Sequence, residues 1–174
     1  MEQLYIPKER LKLLKANPSM LNEITRACKA QISIIDDEVL EIDGSAFEEF
    51  ISKNVLFAYG RGFDIKIALL LNSQDYYFKA IDIKLIERNK QRIRQIKARI
   101  IGEGGRTKRY IEQVSGAHIS IYGDSVAVIG KIDALYEAET AINTIIEGGT
   151  HRLAYLKMEA AHRKNRNAAT SARF

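Results

Sequence analysis

The pentapeptide Ala30-Gln31-Ile32-Ser33-Ile34 is echoed by Ala117-His118-Ile119-Ser120-Ile121, an offset of 87 residues in a chain of 174. The same offset lays Ile24 on Ile111 and Leu14 on Ile101. A period of half the chain length means that one small unit has been built twice. The fold must therefore be one that about half of this chain can make. Both pentapeptides alternate apolar with polar residues, the period-2 pattern of a half-buried strand.

The second half reads most clearly. Tyr76 to Leu85 places Phe78, Ile81, Ile83 and Leu85 in loose alternation, which predicts a strand. Arg88 to Ile101 predicts a helix whose apolar face is Ile93, Ile96 and Ile100. The loop Gly102-Glu103-Gly104-Gly105 ends it, and Thr107 is placed to cap a second helix with Tyr110, Ile111 and Val114 on its apolar face. Gly116 stops that helix. A strand from Ala117 to Tyr122, a turn at Gly123-Asp124, a strand from Ser125 to Ile129 and an amphipathic helix over Ile132–Ile146 follow, closed by Gly148-Gly149. The order is β-α-loop-α-β-β-α.

The first half repeats it. Gln3–Ile6 predicts a strand, Pro7 suits the first turn of a helix, Val39–Ile42 predicts a strand, and Ala46–Tyr59 predicts a helix. A short helix over Ile65–Leu71 makes the connection a structured one. The copies differ at the glycine loop. Where the second has Gly102-Glu103-Gly104-Gly105, the first has Lys15-Ala16-Asn17-Pro18, with no glycine and with a proline that lacks an N–H. After Met158 the sequence turns polar, basic and small, which predicts a frayed or disordered tail able to touch phosphate without specificity.

Charge separates the halves. Residues 1–87 hold 11 Lys/Arg against 14 Asp/Glu, whereas residues 88–174 hold 16 against 8. Nine of the basic residues lie between Arg88 and Arg109, with Glu103 as the sole acid there. Basic residues around a glycine loop that opens a helix suit a phosphodiester chain, because the backbone can come close and the helix start attracts anions. No apolar run approaches the ~20 residues of a membrane span. No signal peptide is visible at Met1-Glu2-Gln3-Leu4-Tyr5, and Cys28 is the only cysteine. A soluble cytoplasmic protein without a membrane partner is the expectation.

Ile101-Gly102-Glu103-Gly104-Gly105, followed at the right spacing by Ser115-Gly116-Ala117-His118-Ile119-Ser120-Ile121, resembles the KH domain. Ala58-Tyr59-Gly60-Arg61-Gly62-Phe63, Arg99-Ile100-Ile101-Gly102, Gly148-Gly149-Thr150-His151 and Tyr155-Leu156 narrow the resemblance. They are similar to archaeal KH proteins related to the eukaryotic Partner-of-Nob assembly factor of the small ribosomal subunit. The resemblance implies an α+β fold of two tandem eukaryotic-type (type I) KH domains, each β-α-α-β-β-α with a three-stranded antiparallel sheet packed by helices. It divides the chain into a degenerate KH-like domain at 1–74, a KH domain with its glycine loop at 75–158 and a basic tail at 159–174.

The same resemblance implies a groove that clamps about four nucleotides of single-stranded RNA. Its residues would be Lys97, Arg99, Ile100, Ile101, Gly102, Glu103, Gly104, Gly105, Arg106, Thr107, Lys108, Arg109, Ile111, His118, Ile119, Ser120 and Ile121. Ile119 and Ile121 are also expected to bury one strand face, and His118 to lie on the other. The implied RNA is the 3′ region of small-subunit ribosomal RNA during maturation. The implied protein partners are the endonuclease that trims that end and the alpha subunit of translation initiation factor two. Glu103 departs from the family, where that position is often basic.

Catalysis finds little footing. His118, His151 and His162 have no metal-ligand spacing with carboxylates or cysteine, and no cofactor or metal is expected. Arg106-Thr107 replaces the Lys-Ser/Thr pair of a P-loop, and Gly60-Arg61-Gly62 lacks the third glycine of a dinucleotide fingerprint. Asp36-Asp37-Glu38, at the turn between two strands, is the only basis for a nuclease. A protein-interaction scaffold, suited to the acidic first half, and a translation-related RNA-binding factor complete the alternatives.

Overall fold

Two three-stranded antiparallel sheets carry the fold in the computed structural model, which describes residues 1–171. Each sheet belongs to its own unit, one formed by residues 1–76 and the other beginning at Tyr77.

The first unit runs β1 (Glu2–Tyr5), α1 (Lys8–Ala16), α2 (Pro18–Cys28), β2 (Gln31–Ile34), β3 (Val39–Asp43) and α3 (Ala46–Gly60). The short α4 (Ile65–Ala68) and a 3₁₀ turn at Leu69–Asn72 complete it. The sheet order is β1-β3-β2, with Leu4 opposite Leu40 and Ile32 opposite Ile42. Local chemistry sets the helix ends. Pro18 opens α2 where no N–H is needed, and Ser45 and Glu48 form a reciprocal capping box on α3. Leu11 and Leu14 of α1, Ile24 of α2 and Val55 and Leu56 of α3 are fully buried, as are Leu40 and Ile42 of β3.

The second unit runs β4 (Tyr77–Asp82), α5 (Ile83–Ile86), α6 (Lys90–Ile101), a 3₁₀ turn (Glu103–Gly105), α7 (Arg106–Ser115), β5 (His118–Tyr122), β6 (Ser125–Gly130), α8 (Ile132–Ile146) and α9 (His151–Ser171). Its sheet order, β4-β6-β5, matches that of the first unit, and Ala80 and Ser120 both stand opposite Ala127. The central strand β6 is buried throughout. Ile93 and Ile100 of α6, Ile111 of α7, Ile119 of β5 and Ile142 of α8 meet in one core with Val126 and Val128.

Several elements depart from the reading of the sequence. The strand expected to reach Leu85 ends at Asp82, whose carboxylate accepts from the Lys84 N–H at 3.0 Å and starts α5. The turn buries Ile83 and leaves Leu85 86% exposed. The helix expected from Arg88 begins at Lys90, because the Asn89 side chain caps it by accepting from the Gln91 and Arg92 N–H groups. The segment set apart as a tail continues α9 as far as Ser171, and residues 172–174 lie outside the described residues. Its anchors are Met158, fully buried, and His162 and Asn165, each 2.8 Å from the Glu137 carboxylate of α8.

Replacing Ile111 by Ala in this core should lower the unfolding free energy by about 2–5 kcal/mol. Ile132→Ala, at a position 60% exposed, should change it by no more than about 0.5 kcal/mol. Urea unfolding of both variants measures the contrast.

Candidate nucleic-acid interface

The loop between α6 and α7 is built from glycines in conformations that other residues avoid. Gly102 (φ 74°, ψ 170°), Gly104 (φ 56°, ψ 23°) and Gly105 (φ 78°, ψ 14°) all have positive φ. Gly102 is doubly constrained. A Cβ there would run into the Thr107 hydroxyl and come within 2.7 Å of the Thr107 backbone nitrogen. Nothing lies within 4 Å of a Cβ at Gly104, so that corner of the loop is open. The loop closes on itself, the Gly105 N–H donating to the Gly102 carbonyl at 3.1 Å.

Thr107 does not cap α7. Gly105 occupies the cap position, no side chain caps that end, and Thr107 is buried one residue inside the helix. The Arg106 N–H donates to the Glu103 carbonyl of the preceding turn, and no side chain caps the N–H groups that follow it, for which phosphate is a suitable partner. Tyr155 of α9 makes a hydroxyl–hydroxyl hydrogen bond to Thr107 at 3.2 Å, and the Tyr110 hydroxyl donates to Glu159. The Glu159 carboxylate, with burial second, pushes the Tyr110 phenol above its ordinary pKa. The rings of Tyr110 and Tyr155 lie 4.5 Å apart. The sequence singled out Tyr155 only as part of a family-like dipeptide.

The basic residues divide into two groups. Lys97 donates to the Gly123 carbonyl at 2.7 Å and to Asp124 at 3.0 Å, fastening α6 to the β5–β6 turn. Arg99 donates to the carbonyls of Ile145 and Gly149, and His151 Nε2 meets the Arg99 carbonyl at 2.8 Å. Both side chains are spent on the frame. Lys108 faces Glu112 at 3.6 Å. Arg106 and Arg109, by contrast, are exposed at the start of α7 and form no ion pair among the described residues. Ile101 and Glu103 are exposed at the rim.

The apolar residues placed in the groove prove to be mostly core. Ile100 and Ile111 are 0% exposed and Ile119 is 3% exposed, so these three support the interface from beneath instead of presenting surface to it. Ile121 is half-buried against them. Strand alternation sends the half-buried His118 and Ser120 to the opposite sheet face, away from the helical layer that carries the glycine loop. What β5 does offer is its edge, since only one side of it pairs with β6. The Ile119 N–H points outward there and donates to Glu112 Oε1 at 2.8 Å. In the sequence, Glu112 shows only as an acid one helical turn after Lys108.

The other candidate chemistries disperse. His151 and His162 are tied to Arg99 and Glu137, and no three His, Cys, Asp or Glu residues are grouped to hold a metal among the described residues. Asp37 and Glu38 pair with Lys15 and Lys8, at 3.0 and 3.8 Å. Burial pushes the Cys28 thiol up, which keeps it protonated. No helix among the described residues is long and apolar enough to cross a membrane.

The family model of the eukaryotic-type KH domain (KH-domain type I), in its Pno1 form, matches residues 77–163. The chain belongs to the Pno1 family of KH-domain proteins. A KH domain-containing protein of Methanocaldococcus jannaschii is 31% identical over 173 residues, 96% of this chain and 76% of that one. The pre-rRNA-processing protein pno1 of Aspergillus fumigatus is 28% identical, over 92% of this chain and 69% of its own length. Among solved structures, a chain of the a/eIF2alpha–aDim2p–rRNA complex from Pyrococcus horikoshii matches with a TM-score of 0.81 and 30% identity, covering 94% of both chains.

Gly102→Ala should cost about 1–3 kcal/mol in urea unfolding, since its backbone region is essentially glycine-only. Gly104→Asn, in an open left-handed position, should cost under about 1 kcal/mol. Hydrogen bonds from Lys97 and then Lys84 hold the Asp124 carboxyl below its ordinary value of 3.8. A depressed carboxylate stabilises the fold at pH values above its unfolded pKa and ceases to do so as pH falls through the folded one. NMR titration should therefore find Asp124 still ionised below pH 3.8, and Lys97→Met should move its midpoint upward.

Proposed function

We propose that the second unit grips single-stranded RNA without catalysing any reaction on it, in the 3′ region of small-subunit ribosomal RNA during ribosome maturation. The observation that carries this reading is the glycine loop. Three positive-φ glycines bring backbone to the surface beside the uncapped start of α7, with Arg106 and Arg109 exposed and unpaired next to it. A phosphate chain lying on that backbone meets helix N–H groups and two cations together. Bases turned inward then lie over Ile101 and along the outer edge of β5, where Ile119 and Glu112 present polar atoms. The pre-rRNA-processing name of the Aspergillus relative, and the rRNA in the Pyrococcus complex, support ribosomal RNA as the ligand.

The first unit is, in this reading, a degenerate KH-like domain over residues 1–74, making the pair a tandem. Its support is the shared strand order and the Asn17-Pro18 junction that stands in place of a glycine loop. The a/eIF2alpha in the Pyrococcus complex supports the alpha subunit of initiation factor two as a protein partner, in a cytoplasmic setting. An rRNA-trimming endonuclease is the second partner, on the strength of the family resemblance.

Gly104→Asp with Gly105→Asp is the variant of choice, because it puts two carboxylates on the loop and leaves the structurally obligatory Gly102 alone. Filter binding with a single strand from the 3′ end of small-subunit ribosomal RNA should show an affinity loss of about a hundredfold or more. The melting temperature should stay within a few degrees, and the bound RNA should be recovered uncut in the presence of magnesium. Unchanged affinity in the folded double variant refutes the loop as the RNA grip.

A further inference from the structure

We propose that α9 is a second RNA contact, holding through its arginines the phosphates of nucleotides that continue past the glycine loop. The proposal rests on the RNA-binding reading of that loop and extends the bound strand beyond the groove.

The docking of α9 fixes its direction. Thr107 meets Tyr155 and Tyr110 meets Glu159, so α7 and α9 advance together and run parallel from the level of the glycine loop. Ala154 and Met158 are buried, and His162 and Asn165 hold Glu137 on α8. With about 100° per residue, Arg152 and Arg163 fall on one line, just outside the side of α9 that touches α7, and Arg166 falls close to it. All three are exposed. Arg152 stands level with the glycine loop, and Arg163 stands about 16 Å farther along the helix.

Arg152, Arg163 and Arg166 form no ion pair among the described residues, and neither do Lys157 and Lys164 beside them. Glu159 is the one acid of the helix, and Tyr110 occupies it. Arg152 even sits in the first turn, where a cation opposes the helix dipole and weakens the helix. Uncompensated arginines in a line that starts beside a phosphate-binding loop fit a polyanion spaced along the same axis. A single RNA strand leaving the groove is that polyanion, and an acidic protein is the competing partner.

The test uses the full chain with Arg152→Gln, Arg163→Gln and Arg166→Gln together; glutamine keeps helix propensity while removing charge. The probes are a single strand of about four nucleotides, the length of the groove, and a longer strand, both from the 3′ end of small-subunit ribosomal RNA. The short strand should bind the variant and the unmodified protein equally. The longer strand should bind the variant at least tenfold more weakly, with a salt slope shallower by about 2, at about 0.7 for each lost contact. Equal binding of the longer strand to both proteins overturns the proposal, and so does an equal loss on both lengths. If the Gly104→Asp/Gly105→Asp variant keeps its full affinity for the short strand, the groove reading fails instead, and a longer strand still weakened by the arginine changes leaves the α9 contact standing. Polyglutamate that binds the unmodified protein and not the triple variant, with RNA binding unchanged, assigns the surface to an acidic protein and overturns the RNA contact.

Discussion

The contact on which the second unit turns is the approach of Gly102 to Thr107. A Cβ cannot be accommodated there, and only four residues, Gly102 to Gly105, separate the end of α6 from the start of α7, the chain folding back over a hydroxyl. That hydroxyl is in turn held by Tyr155 of α9, a residue 48 positions away. The loop is thus set from both sides. Backbone torsion leaves it few alternatives, and a distant helix presses on the one side chain the loop folds around. Such preorganisation suits the proposed phosphate contact, because a loop already in place costs little ordering when a ligand arrives.

The same economy governs the charges. A chain with this excess of cations in one half invites the view that all of them face a polyanion. Lys97 and Arg99 instead satisfy carbonyls and a carboxylate within the unit, fastening α6 to the β5–β6 turn and to the end of α8. They stiffen the helix that delivers the chain to Gly102. Around the glycine loop the cations without an ion pair are Arg106 and Arg109, which stand where the helix start also points positive. At the loop itself, fewer charges than the composition advertises are therefore free to meet a ligand.

Alternation and glycine placement made β4 to β6, α6 to α8 and the loop itself legible in the sequence. What escaped did so for identifiable reasons. Ile83 and Leu85 continue the alternation of β4, and only the capping carboxylate of Asp82 ends it, a local hydrogen bond that hydropathy does not register. Thr107 has the propensity of a helix cap, but a left-handed backbone is required at the cap position, and Gly105 supplies it. Ile100, Ile111 and Ile119 carry the same apolar signal whether they floor a groove or fill a core. Only the packing of α8 over them decides for the core. The helix beyond Met158 was hidden because its anchors, His162 and Asn165, are polar and bind a buried carboxylate.

The junctions between the paired helices differ by only a few residues. In both units two helices meet beneath a sheet of the same strand order. In the first unit Asn17 lies outside the helical region (φ −127°, ψ 78°), and its side-chain amide donates to the Leu13 carbonyl at 3.0 Å. Pro18 then opens α2 without an N–H to offer. The helix start that would face a phosphate is short of a donor, and no positive-φ residue brings backbone outward beside it. Lys15, the nearest cation, is held by Asp37 at 3.0 Å. An anion approaching that junction meets a proline ring and a neutralised lysine. The second unit, with three glycines at its junction, has positive-φ backbone there and leaves two arginines without an ion pair among the described residues, and that difference of a few residues is what sets the two junctions apart as candidates for phosphate.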